Sequence, residues 1–274
     1  MSYISVTHVL ELTSFDKNYC MKNIVIAAGY ATRLYPLTKN FPKPLLKVGE
    51  KSILERLLND VDRIEEITEH IIVTNHKFSS IFSEWAAKMS FAKPVRIIDD
   101  GTETNETRLG AVRDLLLAVT GNMNGCKSKD LKSDSLDDYM VLAADNILDF
   151  SLQGFVDYFK EKNSSVIMCH HESEMKKLQR TGVIAVDDQM RVLEMQEKPL
   201  VPVSNWAVPP FYIYKKEDLP LICESVFNGC AFDAPGNLAH YLVEHTVVHA
   251  WPMPGKRFDI GSLDSYEEAQ RLFS

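Results

Sequence analysis

From Met21 onward, short apolar runs alternate with stretches whose apolar residues recur every three or four positions. NIVIAA (23–28), HIIVTN (70–75), VRIID (95–99) and YMVLAAD (139–145) are runs of strand length with little polar interruption. SILERLLNDVDRI (52–64) carries apolar residues at 53, 54, 57, 58, 61 and 64, the spacing of one helix face. IFSEWAAKM (81–89), RLGAVRDLLLAV (108–119) and FVDYFKEK (155–162) continue the helical beat. Strands that are apolar on both faces and separated by helices predict an α/β fold with a parallel sheet covered on both faces.

After about residue 164 the rhythm changes. SVIMCHH, GVIAVDD, MRVLEMQ and WAVPPFYIY read as strands with few helices between them. No linker rich in Pro, Gly or Ser intervenes, so the pattern predicts an antiparallel addition to the same domain. GNMNGCKSKDLKSDSLDD (121–138) is polar and mixed in charge, and predicts a solvated surface loop.

The chain has 274 residues, 45% hydrophobic and 25% charged, with a net charge of −8. That length suits one large domain or two small ones, and the composition is that of a globular protein. An acidic balance without a basic block argues against nucleic acid as a partner, because phosphate backbones are held by clustered Lys and Arg. No apolar run reaches the roughly 18 residues of a membrane span, and residues 1–20 lack the basic start of a signal peptide. Five cysteines with no C-x-x-C pair predict free thiols and a cytoplasmic location.

The chemistry concentrates in IVIAAGYATRLYPLTKNFPKPLLKV (24–48). A buried strand ends at Gly29, and a loop with Thr32 and Arg33 follows, where backbone N–H groups can cradle phosphate oxygens. Lys43 lies between Pro42 and Pro44, on a stiffened path. A dinucleotide-binding turn needs G-x-G-x-x-G opening a helix; the later glycines are missing here, and Pro36 forbids an early long helix. Asp145 ends the apolar run MVLAA, so it emerges at the carboxyl end of a strand, where open α/β sheets bind ligands. His170 and His171 are adjacent on a strand and point to opposite faces, which makes a shared metal improbable. His240, His245 and His249 straddle a helix end and a strand, and read as satisfied or exposed side chains. Trp85, Met89 and Phe91 read as core or helix surface.

The 24–48 segment resembles the sugar-phosphate nucleotidyltransferase family, whose signature is a strand and small-residue turn, then T-R-L-x-P-x-T and P-K-P-L. The resemblance runs from Met21 to the C-terminus, leaving residues 1–20 as an N-terminal extension and implying for 21–274 a single α/β domain with a doubly wound, mostly parallel, Rossmann-like sheet of the nucleotide-diphospho-sugar transferase type. It implies Mg²⁺-dependent joining of a nucleoside triphosphate to a sugar 1-phosphate, with release of pyrophosphate. Ala27, Ala28, Gly29, Thr32 and Arg33 would hold the nucleotide, with Thr107 and Arg108 near the base. Arg33 and Lys43 would stabilise charge at the reacting phosphates. Asp145 and Asp259, the latter in RFDIGSLDSYEEA, would bind the metal. Gly182, Glu197, Lys198 and Tyr212 would form the acceptor pocket in the antiparallel half. Ala31 and Ala144 stand where the family commonly has glycine. The chain stops after its final helix, so no hexapeptide-repeat domain is expected. The oligomeric state, monomer or homo-oligomer, is open. Two alternatives stand beside this reading: a cytidylyltransferase acting on a phospho-alcohol or phosphonate, and a non-catalytic nucleotide or sugar-nucleotide sensor. A sensor has less need to keep Arg33, Lys43, Asp145, Lys198 and Asp259 together.

Overall fold

The computed structural model describes residues 19–123 and 137–273. Most of the expected N-terminal extension and most of the 121–138 loop therefore lie outside the described residues. The first half contains β1 (Met21–Ile26), β2 (Lys47–Val48), β3 (Lys51–Ser52), α1 (Ile53–Val61), β4 (Ile67–Thr74) and α2 (His76–Ala86). β5 (Val95–Asp99), α3 (Ala111–Thr120), β6 (Asp138–Ala143), β7 (Asn146–Leu148) and α4 (Gln153–Lys162) follow. The second half adds β8 (Ser165–His171), α5 (Met175–Leu178), β9 (Gly182–Val186), β10 (Val192–Glu197), β11 (Trp206–Val208) and β12 (Phe211–Tyr214). It closes with α6 (Leu219–Phe227), α7 (Pro235–His245), β13 (Val248–Pro252), β14 (Arg257–Asp259) and α8 (Leu263–Phe273).

Among the described residues, ten strands form one mixed sheet in the order β10-β9-β11-β8-β12-β6-β1-β4-β5, with β13 paired to β8. β6, β1, β4 and β5 run parallel, as the apolar runs predict. β12, β11, β9 and β10 join antiparallel, which is the change of rhythm after residue 164. Pro209 and Pro210 lack N–H donors and divide WAVPPFYIY into β11 and β12.

Successive residues of each strand serve opposite layers. Ile24, Ile71, Val73 and Val141 pack with α3, α6 and α7 on one face. Val25 and Ile72 meet α1 and α2 on the other, and Met140 and Leu142 meet α1 and α4 there. Caps set the helix starts: Ser52 Oγ accepts from Glu55 N–H at 3.1 Å, and Asn75 Oδ1 from Phe78 N–H at 3.1 Å. Each such cap contributes about 1 kcal/mol. Asn75 is why α2 begins before the 81–89 stretch that periodicity marks. Gly110, at φ 90°, delays α3 to Ala111.

Cys20, Cys169 and Cys230 are free thiols. Cys223 is disulfide-bonded, so the expectation of free thiols throughout does not hold for it. His170 and His171 do diverge, the latter edge-on to Trp206, and His245 and His249 each have a hydrogen-bond partner. Trp85 and Phe91 pack against the α1–α2 core. Among the described residues, no helix is long and apolar enough to cross a membrane.

Candidate active site

The strand order reverses at β1: β4 and β5 lie on one side, β6 on the other. Ligands of open α/β sheets bind outside the carboxyl ends of strands at such a point. Here those ends are Ala27–Arg33, after β1, and Ala144–Asp145, after β6.

The loop after β1 bends at Ala31, whose backbone is left-handed (φ 47°, ψ 43°). Thr38 Oγ1 donates to the Ala31 carbonyl at 2.7 Å and holds the bend. A methyl group in this conformation is strained where glycine would not be, which gives the departure at Ala31 a physical cost. The bend leads into a short 3₁₀ turn carrying Thr32 and Arg33. Lys43 starts a second 3₁₀ turn, and its buried Nζ donates to Asp145 Oδ2 at 2.9 Å across 102 residues of sequence.

Asp259 reaches Asp145 through a small antiparallel ribbon. β14 pairs with β7, so that Asp259 stands opposite Asn146, and Ile260 N–H donates to the Asp145 carbonyl at 3.1 Å. Asn146 Nδ2 donates to Asp145 Oδ1 at 2.7 Å, and Arg257 Nη1 donates to Asn146 Oδ1 at 2.5 Å. Sequence reasoning missed Asn146 and Arg257, because polar residues beside a strand end carry no spacing signal. The enclosing cleft walls, and then the charge of Asp145, push the Asp259 carboxyl above its ordinary value.

Two adjoining cavities open here. One, of about 490 Å³, is lined by Ala27, Ala28, Gly29, Thr32, Arg33, Lys43 and Arg108 among others. The second, of about 1010 Å³, is lined by Glu197, Lys198 and Tyr212 on the antiparallel half, together with His170, Arg180 and Arg257. Asp145, Lys198, Asp233, Asp259 and Gly261 line both.

Two expected residues stand apart from the cavity walls. Thr107 is not among the residues lining the cavity of about 490 Å³, and its hydroxyl donates to the Thr104 carbonyl at 3.1 Å. Gly182 pairs with Glu197 across β9 and β10 and lies behind its carboxylate: a Cβ at Gly182 would stand 3.4 Å from Glu197 Oε2. Gly236, unnoticed in the sequence, leaves room for the same carboxylate, since a Cβ there would stand 1.9 Å from Oε2. Burial raises the Glu197 carboxyl, and Lys198 Nζ at 3.5 Å opposes that. Lys198 has φ 49° immediately before Pro199, a sparsely populated backbone state of the kind that clusters at functional sites.

The Asp145–Asp259 pair suits a hard divalent cation, since carboxylate oxygens are its preferred donors and their mutual repulsion is what a cation relieves. Among the described residues, no group of three or more His, Cys, Asp or Glu side chains could hold an ion together. Two carboxylates alone would leave such a cation's shell open to water and further oxygen ligands, as Mg²⁺ sites commonly do.

The sequence of residues 22–273 matches the nucleotidyl transferase family. A UTP–glucose-1-phosphate uridylyltransferase of Synechocystis is 26% identical over 255 residues, covering 92% of this chain and 63% of that protein. The uridylyltransferase AglF of Haloferax volcanii is 24% identical over 261 residues, covering 92% and 96%. A bifunctional GlmU protein of Methanococcus aeolicus is 30% identical over 192 residues, but the match spans only 38% of its length. Among solved structures, a UDP-glucose pyrophosphorylase complexed with UDP-glucose superimposes with a TM-score of 0.73 at 18% identity, covering 93% of this chain and 98% of that one. With the strand order, the convergence of Lys43, Asp145 and Asp259, and a match over nearly its whole length, the chain belongs to the nucleotidyl transferase family.

Proposed function

We propose that the chain transfers a nucleotidyl group from a nucleoside triphosphate to a sugar 1-phosphate, forming a nucleoside-diphosphate sugar and pyrophosphate. One observation carries this reading: the two cavities meet at Asp145, Lys198, Asp233, Asp259 and Gly261. A triphosphate along the Gly29–Arg33 loop and an acceptor phosphate beside Lys198 would face each other at that junction.

The acceptor phosphate is anionic at neutral pH and needs no general base. One of its oxygens forms the new bond to the α-phosphorus, the α–β bridging bond breaks, and pyrophosphate departs with that electron pair. The protein's work is positioning and charge neutralisation. Arg33 and Lys43 supply positive charge on the triphosphate side, and Lys198 supplies it on the acceptor side. Lys43 is held ready by Asp145, and Asn146 and Arg257 orient that carboxylate in turn. Mg²⁺ bound by Asp145 and Asp259 would supply further charge neutralisation on phosphate oxygens. Glu197, kept in place by the glycines at 182 and 236, would accept hydrogen bonds from acceptor hydroxyls.

The test is pyrophosphate release with Mg²⁺, crossing ATP, CTP, GTP, UTP and dTTP with sugar 1-phosphates and phospho-alcohols. Turnover with one pairing, reduced at least 100-fold in Lys43→Ala and Asp145→Ala, is the expected result. Nucleotide binding without turnover across a broad acceptor panel would favour a sensor, and turnover only with phospho-alcohols would move the acceptor class.

A further inference from the structure

Asp114 has no role so far. It lies in the first turn of α3, and its N–H donates to the Gly110 carbonyl at 3.0 Å, which sets the two residues on one face of the helix. It lines the cavity of about 490 Å³ together with Asn105, Arg108, Gly110 and Ala111. The residue is 3% exposed, and its Oδ1 is sealed from solvent with no hydrogen-bond partner. Neither arginine near it in sequence forms an ion pair with it: Arg108 Nη1 donates to Asn105 Oδ1 at 3.1 Å, and the Arg113 guanidinium lies 3.8 Å from the Phe232 ring centroid. A buried polar group left unpaired in a ligand cavity costs stability, unless a ligand completes it.

We propose that Asp114 is a specificity-determining residue of this cavity, whose carboxyl hydrogen-bonds the base of the bound nucleotide. The inference rests on the nucleotidyltransferase reading and adds to it the group that reads the base. Burial, reinforced by the charge of Asp100, pushes the Asp114 carboxyl up to about 8, so it is neutral at pH 7. A neutral carboxyl carries both an O–H donor and a carbonyl acceptor, as an amide does, and so can complement an acceptor or a donor atom on a base edge. Buried groups of this kind discriminate strongly, because a base that cannot complete them leaves them unpaired.

Isothermal titration of the full chain with ATP, CTP, GTP, UTP, dTTP and inorganic tripolyphosphate, without acceptor, tests this. Wild type should prefer one triphosphate over the others by at least about tenfold. Asp114→Ala should compress that preference to within about threefold, with tripolyphosphate affinity unchanged. Asp114→Asn, which keeps a donor and an acceptor, should retain the preference. Unchanged base ratios in Asp114→Ala would overturn the proposal, as would equal weakening of tripolyphosphate or failure of Asn to preserve discrimination. A wild type that binds every triphosphate no better than tripolyphosphate would overturn it while leaving phosphate binding intact. A wild type that binds none of the probes would sink the nucleotidyltransferase reading, and this inference with it.

Discussion

Replacing Asp114 by asparagine should remove a large alkaline penalty on stability. In the folded protein this carboxyl stays protonated to about pH 8, whereas its ordinary value is 3.8. Between those limits the unfolded chain has released the proton and the folded chain still binds it. Stability therefore falls as pH rises, by 1.36 kcal/mol per pH unit, from about pH 4 until about pH 8, and is flat above. The full difference is roughly 6 kcal/mol, a large part of the 5–15 kcal/mol that holds a typical domain together. Asp100, Asp138 and Glu197 are also raised by burial and add to the same trend, but they are common to both proteins and cancel in the comparison. Urea unfolding of wild type and Asp114→Asn at pH 5, 7 and 9 would measure it. The variant should gain on wild type steadily, by several kcal/mol between pH 5 and 9. A stability difference independent of pH would refute the reasoning, because a carboxyl with no folded-state shift gives parallel curves.

Gly236→Ala would place a methyl 1.9 Å from Glu197 Oε2 and 2.9 Å from its Cδ, forcing a flexible carboxylate to move. The expected result is an acceptor KM raised at least tenfold, with the triphosphate KM and the melting temperature little changed, read from steady-state kinetics and thermal unfolding. Gly110→Ala meets the Phe232 carbonyl oxygen at 2.3 Å with φ at 90°, where neither backbone can yield cheaply. It should cost at least about 2 kcal/mol in urea unfolding, far more than an exposed Gly→Ala. Ala31→Gly relieves the left-handed strain at φ 47° and should raise stability by up to about 1 kcal/mol, or roughly 2–4 °C in melting temperature.

Local order was legible because it has local causes. The strand at 139–145 and the helix at 52–64 follow from side-chain periodicity and form as Asp138–Ala143 and Ile53–Val61; two other boundaries moved at a cap and at a proline pair. Asn75 accepts the Phe78 N–H and starts α2 early, and the Pro209–Pro210 pair breaks one apolar run into two strands. The site was legible in a different way. Lys43 and Asp145 announced themselves through the 24–48 and VLAAD motifs, and the fold brings the two to 2.9 Å. Glu197 was visible beside its proline, but the glycine at 236 that makes room for it was not. Thr107 shows the converse: a polar residue near a motif, whose hydroxyl is spent on its own turn.

The chain's own chemistry thus specified which segments become strands and which charged residues stand near their ends. These depend on neighbours a few residues away. Only the tertiary structure decided that Asp259 stands opposite Asn146 and faces Asp145, because a three-residue ribbon pairing does that across more than 100 positions. It also decided that Asp114, an ordinary acid by sequence, is buried without a partner at a cavity wall. The burial of a lone acidic side chain and its long-range charge neighbours have no signature in residue spacing; they exist only once the layers have closed.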